Sequence, residues 1–133
     1  RITLGYSVER NGAVVANGWA LNEVTVEREK ATMVEIFLEI DNRPISRWGC
    51  DGLICSTPTG STAYAFSAGG PILWPEVDAL VVLPISAHAL FSRPLVISPT
   101  SKIAVGIESS EAFLSADALS FVFGGIFPSC PRC

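Results

Sequence analysis

Apolar and polar positions alternate through most of this chain. In residues 2–8, Ile2, Leu4, Tyr6 and Val8 share one face and Thr3, Gly5 and Ser7 the other. A period of two belongs to a half-buried strand. Asn11-Gly12 then supplies the dipeptide best suited to a tight hairpin turn. The pattern returns over 13–21, with a bulge expected at Asn17-Gly18, and Val24 and Val26 continue it after Asn22-Glu23. Over 33–40, Val34, Ile36, Leu38 and Ile40 face one way and Glu35 and Glu39 the other; 41–44 turn the chain and 45–48 pair back.

Two later runs are apolar on both faces. Gly52–Ser56 and Ala79–Ile85 therefore read as central strands with no solvent side. Residues 93–98 and 102–108 add two more strands, and 112–116 with 120–124 form a final pair. One segment resists this reading. Residues 61–69 are rich in small side chains, end at Gly69-Gly70 and are stopped by Pro71. They predict a helix of about two turns. The expected architecture is mainly β, with one short helix after the Thr-Pro-Thr-Gly-Ser-Thr loop. Neither an internal repeat nor a low-complexity linker is visible.

Composition narrows the function. The 133 residues suit one domain, and 49% hydrophobic against 17% charged gives material for a real core. A formal net charge of −4 argues against nucleic acid as the main partner, since a phosphate backbone needs a basic surface. The longest apolar run, 79–91, is broken by Pro84, Ser86 and His88, too short for a membrane span and lacking membrane chemistry. The chain starts at Arg1 in mid-pattern, without an initiator Met, and is expected to be a piece of a longer protein. Cys50, Cys55, Cys130 and Cys133 are expected to be reduced thiols. The terminal Cys130-Pro131-Arg132-Cys133 lacks the second ligand pair that zinc would need.

The candidate chemistry sits in Thr57-Pro58-Thr59-Gly60-Ser61-Thr62. It follows a buried strand and opens a helix. Amides at a helix start attract anions, and Gly60 would let the backbone approach a ligand closely. Ser61 and Thr62 can cap the helix or donate to phosphate oxygens. An ordinary capped turn explains the same residues, and the residues alone leave both readings open. The loop is not the Gly-x-x-x-x-Gly-Lys-Ser/Thr phosphate loop. Nor is it a hydrolase elbow: the second glycine is missing, and the single His88 lies in an apolar run. Asp51, before the buried strand, can cap a turn or accept from a ligand. Asn22 and Glu23 would point to opposite faces of a regular strand, one lining a site and the other meeting solvent, or else both sit at a strand end and satisfy backbone groups. Arg93 is a candidate counter-charge, with a plain surface role favoured. Glu27, Glu29, Glu35 and Glu39 with Arg28 and Lys30 read as a solvated face.

Leu21-Asn22-Glu23, the run 51–71 and Arg93-Pro94-Leu95-Val96 together resemble the C-terminal domain of bacterial NAD kinases. The resemblance covers roughly residues 1–117, and Gly49-Cys50-Asp51-Gly52 is similar to the actinobacterial form. Residues 118–133 look unlike the family; Ala118-Leu119 stand where it has Gly and a polar residue. The resemblance implies a multi-stranded two-sheet domain of a cytoplasmic, two-domain enzyme. That enzyme moves the terminal phosphate of ATP (or of polyphosphate), with a divalent cation such as Mg, to the 2′-hydroxyl of the adenosine ribose of NAD. It implies that this half supplies most NAD contacts and the interface of a homo-oligomer, dimer or tetramer. Asn22 and Glu23 match the pair near the adenosine ribose, Thr62, Ala63, Tyr64 and Ser67 the segment that holds NAD, and Thr59 a loop position near the adenine. Asp51 matches an acidic residue that reaches NAD bound mainly by a neighbouring subunit. The family's general base lies in a Gly-Gly-Asp-Gly-Thr motif that does not occur in these 133 residues. The expectation is a chain with no catalytic residue and no metal ligand of its own, inactive alone. The alternative is a non-catalytic nucleotide-binding or assembly module.

Overall fold

A computed structural model describes residues 2–29, 32–87, 93–108, 112–117, 119–123 and 126–127. The sequence readings at His88, Cys130 and Cys133 lie outside the described residues, as does Lys30.

The chain opens with a two-stranded ribbon, β1 (Leu4–Arg10) against β2 (Ala13–Ala20). Asn11 and Gly12 both take positive φ, 53° and 80°, as the mirror-image hairpin turn demands. The ribbon does contain a bulge, but not at Asn17-Gly18. Register shifts between Val8 and Glu9, which face Ala16 and Val14, so Val15 is the extra residue. Asn17 and Gly18 pair regularly with Ser7 and Tyr6. Gly18 is needed there for another reason: a Cβ would lie 2.7 Å from the Tyr6 hydroxyl.

β3 (Glu23–Arg28), β6 (Gly52–Ser56), β7 (Leu80–Ile85), β8 (Leu95–Ile97), β10 (Ala112–Ala116) and β11 (Leu119–Phe123) form one antiparallel sheet in the order β11-β10-β3-β6-β7-β8. A second antiparallel sheet, β12-β9-β4-β5, contains β4 (Val34–Ile40), β5 (Arg43–Cys50), β9 (Ile103–Ile107) and β12 (Ile126–Phe127). The two-sheet expectation thus needs one amendment: two larger sheets stand beside a separate ribbon. Asp41 and Asn42, at φ 52° and 65°, close the β4–β5 hairpin.

The central position expected for Gly52–Ser56 is what the fold gives, with all five residues buried. Pro84 lies in the neighbouring strand yet costs no ladder bond on the far side, because β8 pairs only with Leu80–Val82.

Two apolar clusters follow from the alternation. The larger lies between the two main sheets and includes Leu4, Val24, Val26, Ile36, Leu38, Leu53, Leu80, Ile103 and Leu114. Each such side chain contributes roughly 1.5–3 kcal/mol on burial. The smaller covers the other face of the six-stranded sheet and joins Ile54, Val81 and Leu83 to Ala65, Leu73 and Ala79. That second face carries the helical segment and the polar residues of interest.

Candidate functional site

The loop after β6 does not form a two-turn helix. A 3₁₀ turn, Thr59–Thr62, is followed by one α-helical turn, α1 (Tyr64–Ser67), with Ala63 between them. The break has a local cause. The 3₁₀ turn closes with Ala63 donating to the Gly60 carbonyl, and Ala63 itself leaves helical geometry at φ −98°, ψ −125°.

The loop is tied to the chain before β3. Thr57 donates its amide to the Asn22 carbonyl at 3.0 Å and its hydroxyl to the Leu21 carbonyl at 2.7 Å. The same hydroxyl accepts the Gly60 amide at 3.1 Å. Gly60 lies flat on Asn22, where any Cβ would overlap the Asn22 carbonyl. Ser61 is fully buried; its hydroxyl donates to Pro58 and accepts the Leu73 amide at 2.9 Å, pinning the following segment.

These contacts correct the phosphate-cradle reading of the loop residues. Gly60 permits close approach of protein backbone, not of a ligand. The Thr57, Gly60, Ser61 and Ala63 amides and the Ser61 hydroxyl are engaged inside the protein. At the start of α1 the Tyr64 amide faces the Glu23 carboxylate, so the anion there is the protein's own.

Asn22 and Glu23 are not two positions of one strand; Asn22 precedes β3 and Glu23 begins it. Both are placed by Asp117, which stands at a positive φ of 49° just after β10. Its carboxylate accepts the amides of Leu21 at 2.7 Å, Asn22 at 2.8 Å and Glu23 at 3.2 Å, while the Asp117 amide donates to the Glu23 carbonyl. The Asn22 side chain, half-buried, makes no hydrogen bond among the described residues. Glu23 is 8% exposed. Burial, and then the charge of Asp117, hold its carboxyl above the ordinary 4.5, against the opposing pull of the Tyr64 and Glu23 amides.

Glu23, Thr25 and Glu27 share the face of β3 opposite to Val24 and Val26, which enter the main core. Thr25 donates its hydroxyl to Glu27 Oε1 at 3.1 Å, and the Tyr64 hydroxyl donates to Glu27 Oε2 at 3.1 Å. Desolvation, with the nearby charges of Glu27 and Asp51, pushes the Tyr64 phenol up to about 12. Arg28 on the next position pairs with Asp51, Nε to Oδ1 at 2.9 Å, and its amide donates to the Asp51 carbonyl at 2.8 Å. Glu27 and Arg28 are thus engaged with protein neighbours while still partly open to solvent, the Arg28 and Asp51 side chains being 38% and 36% exposed. Arg93 is exposed, as a surface arginine is.

Asn22, Glu23, Ala63 and Tyr64 thus gather around the start of β3 and α1, whereas Asp51 stands beside Arg28 at the far end of β3, on the side of the Tyr64 hydroxyl. Thr62 and Ser67 lie exposed on the outer side of the helical segment. Thr59 is set apart: it lines a cavity of about 290 Å³ with Ile2, Pro58, Pro75, Glu76 and Asp78. Asp117 and Thr25 escaped the sequence reading as site residues, Thr57 entered it only as part of the loop, and Glu27 and Arg28 only as a solvated face. For Thr25 and Glu27 a signal existed, since they stand two and four positions after Glu23 on one strand face. For Asp117 none did, because it acts from 94 to 96 residues away.

Residues 21–120 match the family model described as the ATP-NAD kinase C-terminal domain. The chain is 55% identical over 128 residues to the NAD kinase of Corynebacterium diphtheriae, covering 95% of this chain and 40% of the relative. It is 57% identical over 109 residues to NAD kinase 2 of Streptomyces avermitilis, covering 81% of this chain and 36% of the relative. The structure matches yeast NADH kinase complexed with NADH at a TM-score of 0.92 and 28% identity, over 99% of this chain and 40% of that one. It matches an NAD kinase from Archaeoglobus fulgidus in complex with ATP at 0.80 and 32% identity, over 99% of this chain and 53% of that one. The chain spans about two fifths of the length of these curated relatives.

Proposed function

The chain belongs to the ATP-NAD kinase C-terminal domain family, and from that premise we propose that it is the NAD-holding half of an NAD kinase. The reaction is transfer of the terminal phosphate of ATP, or of polyphosphate, to the 2′-hydroxyl of the adenosine ribose of NAD. Residues 1–117 are the NAD-binding domain of that enzyme, incomplete here; 118–133 are a divergent end. Asn22, Glu23, Asp51, Thr59, Thr62, Ala63, Tyr64 and Ser67 are the NAD contacts. The full-length protein works as a cytoplasmic homo-oligomer, with Asp51 reaching NAD on a neighbouring subunit.

The observation that carries this reading is Glu23. The residue is 8% exposed, its backbone amide is held by Asp117, and its carboxylate, met by the Tyr64 amide but repelled by the Asp117 charge, is costly to keep charged. A sugar hydroxyl donating to it offsets that cost and is oriented by it. Asn22 beside it supplies a neutral amide for a second hydroxyl, and the exposed Tyr64 ring offers a face to a base. Phosphoryl transfer depends on positioned substrates more than on a protein nucleophile, and binding and orienting are what these groups can do. The general base belongs to the part of the enzyme carrying Gly-Gly-Asp-Gly-Thr. Among the described residues no three His, Cys, Asp or Glu side chains gather at a point that could hold a metal ion, so we place no cation on them.

The test is a titration of the 133-residue chain with NAD, followed by a kinase assay with and without the N-terminal half of the C. diphtheriae relative. NAD raises the melting temperature of the chain, and NADP forms only when both halves are present. A chain whose melting ignores NAD overturns the binding role. NADP made by the chain alone overturns the assignment of the base elsewhere. NAD binding with no NADP in the mixture favours the alternative, a non-catalytic nucleotide-binding module.

A further inference from the structure

Glu27 has no place in the set of NAD contacts, yet its carboxylate bridges two hydroxyls with its two oxygens. Oε1 accepts from Thr25 and Oε2 from Tyr64, each at 3.1 Å. We propose that Glu27 is a positioning residue, which fixes the Tyr64 ring so that its face, and not its hydroxyl, is offered to the dinucleotide. This rests on the functional reading above.

The geometry makes Glu27 a rigid support. Thr25 is 2% exposed and cannot swing away. Gly52 stands opposite Glu27 in the β3–β6 ladder, and a Cβ there would lie 3.0 Å from Glu27 Cα and 3.1 Å from Cγ. The stem of Glu27 therefore runs closely along the bare backbone of β6. Tyr64, in contrast, begins a helical segment of four residues, far too short to hold its own shape. Its ring is 38% exposed, and its phenol is tied at the far end to Glu27. With the hydroxyl donating to Glu27, the ligand meets the ring face.

Glu27 acts through Tyr64, so the two must fail together. In the 133-residue chain, Glu27→Ala should weaken NAD binding roughly three- to tenfold, as loss of one partly exposed charge-assisted hydrogen bond does. Tyr64→Phe should lose a similar factor, and the double variant no more than either alone. Tyr64→Ala, which removes the ring, should lose more. Glu27→Gln keeps an acceptor oxygen and should lose less than Glu27→Ala. A second readout is spectroscopic: the tyrosinate absorbance missing from Tyr64→Phe should appear at lower pH in Glu27→Ala than in the parent. A change in general stability would not move that titration. Additive losses, or NAD binding by Glu27→Ala equal to the parent, would overturn the role of Glu27 and leave the kinase reading standing. A parent chain that does not bind NAD overturns the functional reading, and this inference with it. If Glu27→Ala does not fold, Tyr64→Phe decides from the other end of the same bond; undiminished NAD binding there overturns the proposal.

Discussion

Gly60 rests directly on the carbonyl of Asn22, with no room for a side chain between them. That contact joins the loop after β6 to the start of β3. It sets the distance between the Thr59–Thr62 turn and the Asn22-Glu23 pair.

Gly60→Ala should therefore destabilise the ligand-free chain by about 1–3 kcal/mol, the usual cost of overpacking a closed site. Backbone lies on the far side of the contact, so no flexible side chain can yield. Urea unfolding checks this; a midpoint equal to that of the parent would show that the two segments can part freely.

Asp117 should matter to both stability and binding. Its carboxylate is the acceptor for the amides of Leu21, Asn22 and Glu23. Asp117→Ala strands these donors, at a cost of ~2 kcal/mol or more, and loosens the pair that would hold ribose. Asp117→Asn keeps one acceptor oxygen and should fall between. Unfolding midpoints and NAD titrations of the three proteins give the order.

Glu23 should trade stability for function. Its carboxyl is raised above 4.5, first by burial and then by Asp117. A raised acid holds its proton more tightly folded than unfolded. Its stabilising contribution is complete below the ordinary value of 4.5 and is lost as pH climbs from there through the folded value. Glu23→Gln removes that titration. The variant should gain stability relative to the parent as pH rises from about 4 to 7, while its NAD binding falls at least roughly tenfold. Unfolding midpoints across that range test the first half; a parent that gains on the variant as pH rises would refute it.

Cys50 should be chemically silent in the native protein. It is fully buried, and desolvation pushes its thiol up to about 11. At pH 8 only about one molecule in a thousand carries the reactive thiolate. Alkylation followed by peptide mapping should find Cys50 and the equally buried Cys55 modified only after denaturant is added. Rapid native labelling of either would show that the strands around Gly52 open readily.

The strands were legible because alternation is local. Val34, Ile36, Leu38 and Ile40 declare a buried face in sequence, and the structure buries all four. The Asn11-Gly12 turn was legible for the same reason, since positive φ is a property of the residues themselves. The bulge was not, because Val15 is left over only once β1 and β2 are laid side by side. The short helix was overestimated: small residues in a row permit a helix, but the Gly60–Asn22 and Ser61–Leu73 contacts bend the chain first.

The sequence by itself determined that this protein is mainly β, which strand is central, and which loop carries the residues resembling an NAD site. Those properties depend on spacing between near neighbours. Only the tertiary structure decided what the loop's amides and hydroxyls do. Those of Thr57, Gly60 and Ser61 bind the protein to itself, because Leu21, Asn22 and Leu73 come within hydrogen-bond reach of a loop distant in sequence, while Thr59 and Thr62 stay exposed. It also decided that Asp117 meets the Asn22 amide, Glu27 the Tyr64 hydroxyl and Arg28 the Asp51 carboxylate, since what a charged group faces is a property of packing.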